Sequence, residues 1–367
     1  MIAMLRRRLD RLRGTGEASV TVPPMDGAFR PNNLLESAGG LLDIEAPDNL
    51  AHDGRRVCFS SGATLLGLTD GAANSPPERI DSFAAPISCL AGHPEGILAI
   101  GLESGQIEIR GGPQNGKVVS QIGGRPLHCP TALAFVDART LMVCLGSRSN
   151  PPQDWKRDLM ERNASGSVWR LDLNTGEAIC LGNDLGFPFG VTPLGSGAVV
   201  VSEAWRHRLV VLDGRGAARM VIGDLPGYPA RIAPANDGGY WLCIFAPRRQ
   251  MVEFVLREPE YRTRMLSEVP EPFWMAPALS SGLSFKEPLQ GGAVKHLGID
   301  KPWAPTRSYG LLVRLDAAFS PVASAHSRSD GKRHGITSAL ALGERVLATS
   351  KGGGHLLAVD TALLRGE

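Results

Sequence analysis

The sequence predicts an all-β fold, a six-bladed β-propeller, and two observations carry that prediction. A unit of short apolar strands joined by small-residue turns occurs six times along the chain. The start-to-start spacing is roughly 40 residues in several places, a period typical of propeller blades. The supply of turns agrees: Gly 44 and Pro 27 in 367 residues favour many short strands over long helices. A two-layer β-sandwich is the main competitor, but it does not naturally produce this period over six units.

The units begin at Ala46 (APDNLAHDGRRVCFSSGATLLGL), Ala85 (APISCLAGHPEGILAIGLESGQIEIRG) and Cys129 (CPTALAFVDARTLMVCLGS). They continue at Phe187 (FPFGVTPLGSGAVVVSEAWRHRLVVLD), Tyr228 (YPARIAPANDGGYWLCIFAPRRQ) and Arg333 (RHGITSALALGERVLATSKGGGHLLAVD). Each has Pro or Gly near its start, a short strand, a turn of small residues, and a second strand rich in Val, Ile or Leu. The apolar runs outnumber clean alternation, as expected for strands covered on both faces.

Two stretches interrupt the period. Within residues 150–164, PPQDWKRDLMERN reads as a capped helix before a strand resumes at SVWRLDL. Residues 257–305 form a larger insertion between blades 5 and 6, helical in two pieces broken by Pro270 and Pro272, with YGLLVRLDAAF as the returning strand. Insertions in a propeller belong on its top or bottom loops, because its blades pack on both sides. Phe273, Trp274, Phe285, Trp303 and Tyr309 fall in or just after it, either as the apolar wall of a lid or as a satellite core.

Residues 1–43 precede the first blade, and 44–367 read as one propeller. The start, MIAMLRRRLDRLRG, places its basic cluster after a four-residue apolar stub with no apolar stretch behind it, so it fails as a secretory signal. It reads as a solvated amphipathic end or as a basic surface helix that touches a partner or membrane. A strand around Ala18–Val22 is a candidate to close the ring against the last blade. A net charge of +2 predicts no strong attraction to nucleic acid or anionic membrane. No run of 18 apolar residues exists to span a bilayer. Six widely spaced cysteines without a CxxC pair suit buried free thiols in a cytoplasmic protein.

Three segments resemble strictosidine synthase-like proteins. FPFGVTPLGSGAVVVSEAWRHRLVVL is similar to their blade with an F-P/A-N-G-V start, LPGYPARIAPANDGGYWLCIFAPR to their L-P-G-x-P-D-N-I blade, and RNASGSVWRLDLNTGEA to the outer strand after their inserted helix. The likeness covers roughly Ile44 to Asp360 and is strongest from Gly166 to Arg248. It implies a six-bladed propeller with a ligand site at the top of the central channel. The wider group includes gluconolactonase, senescence-marker-type and paraoxonase-like enzymes, whose lactonase and paraoxonase branches bind a divalent metal there. Strictosidine synthases instead use a glutamate to condense an amine with an aldehyde.

Propeller geometry gathers the starts of the innermost strands at the channel mouth. Asp48, Asn49, Ser88, Thr131, Phe189, Ala230, Arg231, His334 and Thr337 are therefore expected there. Ca²⁺ needs six to eight oxygens. The resemblance places metal ligands at an asparagine and an aspartate whose matching positions here are Phe189 and Ala230, neither with a side-chain oxygen. Glu45 resembles the first-blade glutamate of those sites, with Asp48 as a nearby carboxylate. No metal and no cofactor is the expectation. The position of the condensing glutamate falls on Thr337, while His334 nearby is a candidate acid or base with Glu45 and Asp48.

Asn49, Phe189, Glu203, Arg231 and Thr337 are the candidate ligand-binding residues. Glu203 faces the channel or pairs with Arg206 or Arg208. Arg231 either anchors a carboxylate or phosphate or forms a salt bridge with Asp48 or Glu45. Lys351 in TSKGGGHL is a further candidate for the mouth, although KGGG lacks the context of a phosphate loop. The serines of LGSRS and LSSGLS show no His and acid partner in the sequence. Three readings remain open: a lactone or ester hydrolase, a metal-free propeller binding an anionic or aromatic small molecule, and an amine–aldehyde condensing enzyme.

Overall fold

A computed structural model of the chain describes residues 22–69, 76–214, 217–288, 295–296, 299–300 and 307–364. Six four-stranded antiparallel sheets stand in a ring. Their innermost strands are Pro47–His52, Ile87–His93, Pro130–Asp137, Pro188–Pro193, Gly227–Pro234 and Ile336–Leu342, within a few residues of the six expected starts. Each inner strand neighbours the next, and the sixth neighbours the first.

The apolar runs are explained by what lies between the blades. Blades 2 and 3 meet through Ile97, Ile107, Leu133 and Leu141, and blades 3 and 4 through Met142, Val168, Val199 and Val210. Similar layers fill the other junctions, so both faces of each sheet lose contact with water. Truncating a fully buried member such as Leu141 to alanine is a change that costs about 2–5 kcal/mol.

Near the axis, side-chain oxygens bind one blade to the next. Thr131 Oγ1 donates to the Pro188 carbonyl at 2.5 Å, Ser202 Oγ to that of Ala230 at 2.6 Å and Thr192 Oγ1 to that of Ile232 at 2.7 Å. Gly190 permits the closest approach: a Cβ there would lie 2.7 Å from the Ala230 carbonyl oxygen. That contact brings the inner strand of blade 5, and with it Arg231, towards the axis.

The ring is closed by Gly39–Asp43, which pairs antiparallel with His355–Asp360 as the outermost strand of blade 6. It lies inside the expected N-terminal segment but is not the Ala18–Val22 strand, of which Ala18–Thr21 fall outside the described residues. The physical reason is apolar: Leu41 and Leu42, with Ile44 just after them, pack against the buried layer of Val57, Phe59, Leu347 and Leu356 between blades 6 and 1. Just before it, the Glu36 carboxylate accepts the Ser327 hydroxyl at 2.6 Å and the Arg333 N–H at 2.9 Å, fixing the N-terminal arm to the segment that enters blade 6.

The larger insertion lies inside blade 5, not between blades 5 and 6. Tyr240–Pro247 pairs directly with Leu311–Leu315, so the ladder resumes across residues 248–310 as though they were one loop. Its helices are Gln250–Val255 and Pro259–Glu268. The smaller insertion likewise separates the second and third strands of blade 3 and carries the helix Trp155–Met160. Trp274 and Tyr309 are buried, whereas Phe285 is 95% exposed; Trp303 lies outside the described residues. No described helix is long and apolar enough to cross a membrane.

Candidate functional site at the channel mouth

One guanidinium touches the innermost strand of every other blade. Arg231, on blade 5, donates from Nη1 to Asp48 Oδ1 of blade 1 at 2.9 Å and to the Thr337 carbonyl of blade 6 at 3.3 Å. Its Nη2 donates to the carbonyls of Ser88 at 2.7 Å and Thr131 at 3.4 Å, on blades 2 and 3. From blade 4, the Phe189 ring lies 5.1 Å from the guanidinium carbon, within cation–π range. Arg231 is therefore the hub of the propeller, and the alternative of a salt bridge to Asp48 is what the structure contains.

Asp48 is saturated. Oδ1 also accepts the Thr337 hydroxyl at 2.7 Å and its neighbour Asn49 N–H at 2.8 Å, and Oδ2 accepts Lys351 Nζ at 3.0 Å. Burial alone would push this carboxyl up. The charges of Arg231 and Lys351 and the Thr337 hydroxyl outweigh burial and hold it at about 2. A carboxylate so engaged has little capacity left as a base or metal ligand.

Above the hub opens a pocket of about 500 Å³, open solvent included. Asp48, Ser88, Thr131, Phe189 and Thr337 form its floor. Its wall is aromatic. Phe187 stacks on Trp205 with ring centres 4.5 Å apart, while Trp155 and Phe189 meet Phe245 edge-on at 5.3 and 5.6 Å. Phe187 holds a positive φ of 56°, a conformation that costs a bulky residue energy and is here clamped by that stacking. Trp155 comes from the blade-3 insertion and Leu279 from the blade-5 insertion, so both insertions do reach the mouth.

Two ionisable side chains complete the lining. Lys351 uses one N–H on Asp48, and Glu103 stands at the turn after the second strand of blade 2. Burial raises the Glu103 carboxyl, with the charges of Asp48 and Asp154 adding to the rise and Lys351 opposing it. Such a group exchanges a proton closer to neutrality than an ordinary carboxylate does.

The other candidates lie elsewhere. Glu45 is exposed, and its main-chain carbonyl accepts the Ser61 hydroxyl at 2.7 Å. Asn49 is turned between blades 1 and 2, donating to Ser60 Oγ and to the Ile87 carbonyl. Glu203 is fully buried against Arg206, Arg208 and the Gly186 N–H, so it pairs and does not face the pocket. His334 is 4% exposed, held between Ser308 at 2.7 Å and the Arg328 carbonyl at 2.6 Å, with its pKa lowered by burial. Ser308 also reaches Ser281 of the LSSGLS stretch, giving that serine an indirect histidine neighbour that only folding supplies.

The donor set fits a divalent cation poorly. Phe189 and Ala230 bring no side-chain oxygen, the two lining carboxylates are Asp48, already engaged by Arg231, Lys351 and Thr337, and Glu103, and a fixed positive charge sits among the floor's oxygens. No group of three His, Cys, Asp or Glu side chains with metal-binding proximity occurs among the described residues.

Fold and mouth together define the class, a six-bladed β-propeller with a pocket at one end of its channel. Its homologues include adipocyte plasma membrane-associated protein of Salmo salar, 26% identical over 273 residues, and of Bos taurus, 25% identical over 266. The first alignment covers 66% of this chain and 65% of the salmon protein, so the chain spans just under two thirds of that relative. No family model matches. Among solved structures, a gluconolactonase of Xanthomonas campestris superposes with a TM-score of 0.56 at 13% identity, over 93% of this chain and 95% of its own. Regucalcin of Agrobacterium tumefaciens, a calcium-binding protein, does so at 0.52 and 12%, over 88% and 93%. These structures share the fold.

Glu103, Trp155, Trp205 and Phe245 were not legible as site residues. None begins an inner strand; they enter from strand ends, a short turn and an insertion. The surplus of aromatics near Phe187 is the one signal that pointed towards them.

Proposed function

We propose that the chain binds a small organic molecule at the channel mouth without a divalent metal. The observation that carries this is the Arg231 hub, a tethered cation that neutralises Asp48 and occupies the oxygens of the floor. A flat apolar or aromatic body fits between Trp155, Phe187 and Phe245, and a carboxylate or carbonyl head faces Lys351. Arg231 organises the floor, so the ligand's anchor is Lys351. Titration with 2-naphthoate, read by tryptophan fluorescence, is expected to saturate and to be unchanged by EDTA. Lys351→Met and Trp155→Ala each weaken it at least tenfold. Binding that vanishes on chelation, or fails to saturate, refutes the reading.

The Glu103 carboxyl favours a second reading, metal-independent hydrolysis of an ester or lactone. Its carboxylate takes a proton from water as the water oxygen bonds to the substrate carbonyl carbon. Lys351 faces the resulting oxyanion, and the proton passes to the leaving oxygen as the C–O bond breaks. Turnover of dihydrocoumarin in EDTA, lost in Glu103→Gln with binding retained, supports this; no turnover leaves a binding protein.

A further inference from the structure

Where the blade-5 insertion rejoins the propeller, three side chains form a continuous run of hydrogen bonds. Ser308 Oγ lies 2.7 Å from His334 Nδ1 and 2.7 Å from Ser281 Oγ, and His334 Nε2 lies 2.6 Å from the Arg328 carbonyl. Ser308 and His334 are buried, whereas Ser281 is partly exposed and is followed by the exposed Gly282 and Leu283. Chemistry fixes the direction of each proton. A carbonyl only accepts, so Nε2 carries the hydrogen that meets Arg328. Burial lowers the His334 pKa, so the ring is neutral, holds that one hydrogen, and leaves Nδ1 as an acceptor. Ser308 gives its single hydroxyl hydrogen to Nδ1, and the remaining bond therefore runs from the Ser281 hydroxyl to Ser308. The order is Ser281 to Ser308 to His334, with the base at the buried end and oriented by a third group.

The backbone holds all three residues in place. On one side of Ser308, the Arg307 carbonyl accepts the Ala278 N–H at 3.2 Å; on the other, the Tyr309 carbonyl accepts the Gly335 N–H at 3.0 Å. The stretch leading to Ser281 and the one carrying His334 are thus both tied to the flanks of Ser308. A Cβ on Gly352 would lie 1.8 Å from the Leu279 carbonyl oxygen, so a glycine is what lets the insertion lie against blade 6. Beyond Ser281 the turn is closed by Glu287, which accepts the Gly282 and Leu283 N–H groups at 3.0 and 2.9 Å and pairs with Arg307 at 3.1 Å.

We infer that Ser281 is a nucleophilic serine, activated by His334 through Ser308, that takes an acyl group from an ester. Its Oγ bonds to the ester carbonyl carbon as the bond from that carbon to the alcohol oxygen breaks. The Ser281 proton moves to Ser308 while the Ser308 proton moves to Nδ1; the relay then runs in reverse and delivers one proton to the leaving alkoxide. The charges of Glu36 and Asp330 favour the protonated ring that forms in between. Leu283 and Phe285, 79% and 95% exposed, follow the serine closely and suit an apolar acyl group. Leu279, two residues before it, lines the channel pocket, but the relay uses neither Glu103 nor Lys351.

The test incubates the full chain with a dye-bearing fluorophosphonate, from which an activated serine displaces fluoride to form a stable phosphonyl ester. Intact mass and peptide mapping read the site, and in-gel fluorescence reads the rate. One adduct, on Ser281, is expected. Labelling is lost in Ser281→Ala and slowed at least tenfold in His334→Gln and in Ser308→Ala, which removes a single buried oxygen. Ser284→Ala, three residues further on, labels at the unchanged rate. With p-nitrophenyl butyrate, the parent chain releases a burst of nitrophenol stoichiometric with protein, and Ser281→Ala shows none. That variant lies in a partly exposed turn, so it decides the matter even if a buried one folds poorly. No adduct, an adduct on a different residue, or a Ser281 adduct formed as fast in Ser308→Ala and His334→Gln as in the parent overturns the inference, whatever the channel pocket binds.

Discussion

Arg231 and Arg249 sit in the same blade, both almost wholly buried, and meet opposite surroundings. Arg231 extends from the inner strand to the axis, where one carboxylate, three carbonyls and an aromatic face surround its two Nη groups; Nε alone lacks an acceptor. Arg249 lies two residues beyond the end of the second strand, at the entry to the insertion, and its Nε and Nη1 meet no acceptor. Burial is thus no guide to what a buried charge does. A hub charge holds strands together, whereas an unmatched one is an uncompensated cost to the fold.

The sharpest way to break this contrast is to delete each charge. Arg231→Met removes one partner of a buried pair and is expected to cost about 3–5 kcal/mol in urea unfolding. Arg249→Met is expected to be neutral or stabilising, since it removes an uncompensated charge. Equal losses in both variants would show that the two sites do not differ in kind.

A smaller effect is the acid limb of stability. The Asp48 carboxyl lies at about 2 in the folded chain and near 3.9 when unfolded, so the unfolded state binds its proton first on acidification. Its contribution, on the order of 2 kcal/mol, is complete above the unfolded value and fades as pH falls from about 4 towards 2. Denaturant unfolding across that range is expected to lose part of its slope in Asp48→Asn. An unchanged slope would mean that the hub does not depend on the Asp48 charge.

The smallest effect concerns Glu103, whose shift has the opposite sign. A carboxyl raised in the folded state contributes stability below its unfolded pKa and loses it as pH rises through the folded value. Glu103→Gln should therefore raise melting temperature slightly at pH 7 and leave it unchanged at pH 4, by less than about 1 kcal/mol for a half-exposed group. A loss at pH 7 would mean that the charged form is stabilised by a contact other than Lys351.

By itself the sequence determined the ring of blades. Each blade must bury both faces, and that need writes itself as a repeated pattern of apolar runs and turns, visible from Ala46 to the Arg333 unit. It also determined one thing the mouth lacks: Phe189 and Ala230 carry no side-chain oxygen in any conformation. The inner-strand rule placed Asp48, Phe189 and Thr337 at the floor for the same reason, since strand starts converge on the axis. Tertiary structure alone decided the rest. Whether Arg231 faced a ligand or Asp48 depended on the approach of five other strands, which Gly190 and the inter-blade hydroxyls set. Glu103 and Trp155 reached the pocket because a turn and an inserted helix fold over the mouth. His334 was drawn away by Ser308, a residue that chain order places at the far end of the insertion. Short-range pattern specifies strands, but where a side chain points, and what it meets there, is fixed by contacts between residues far apart in sequence.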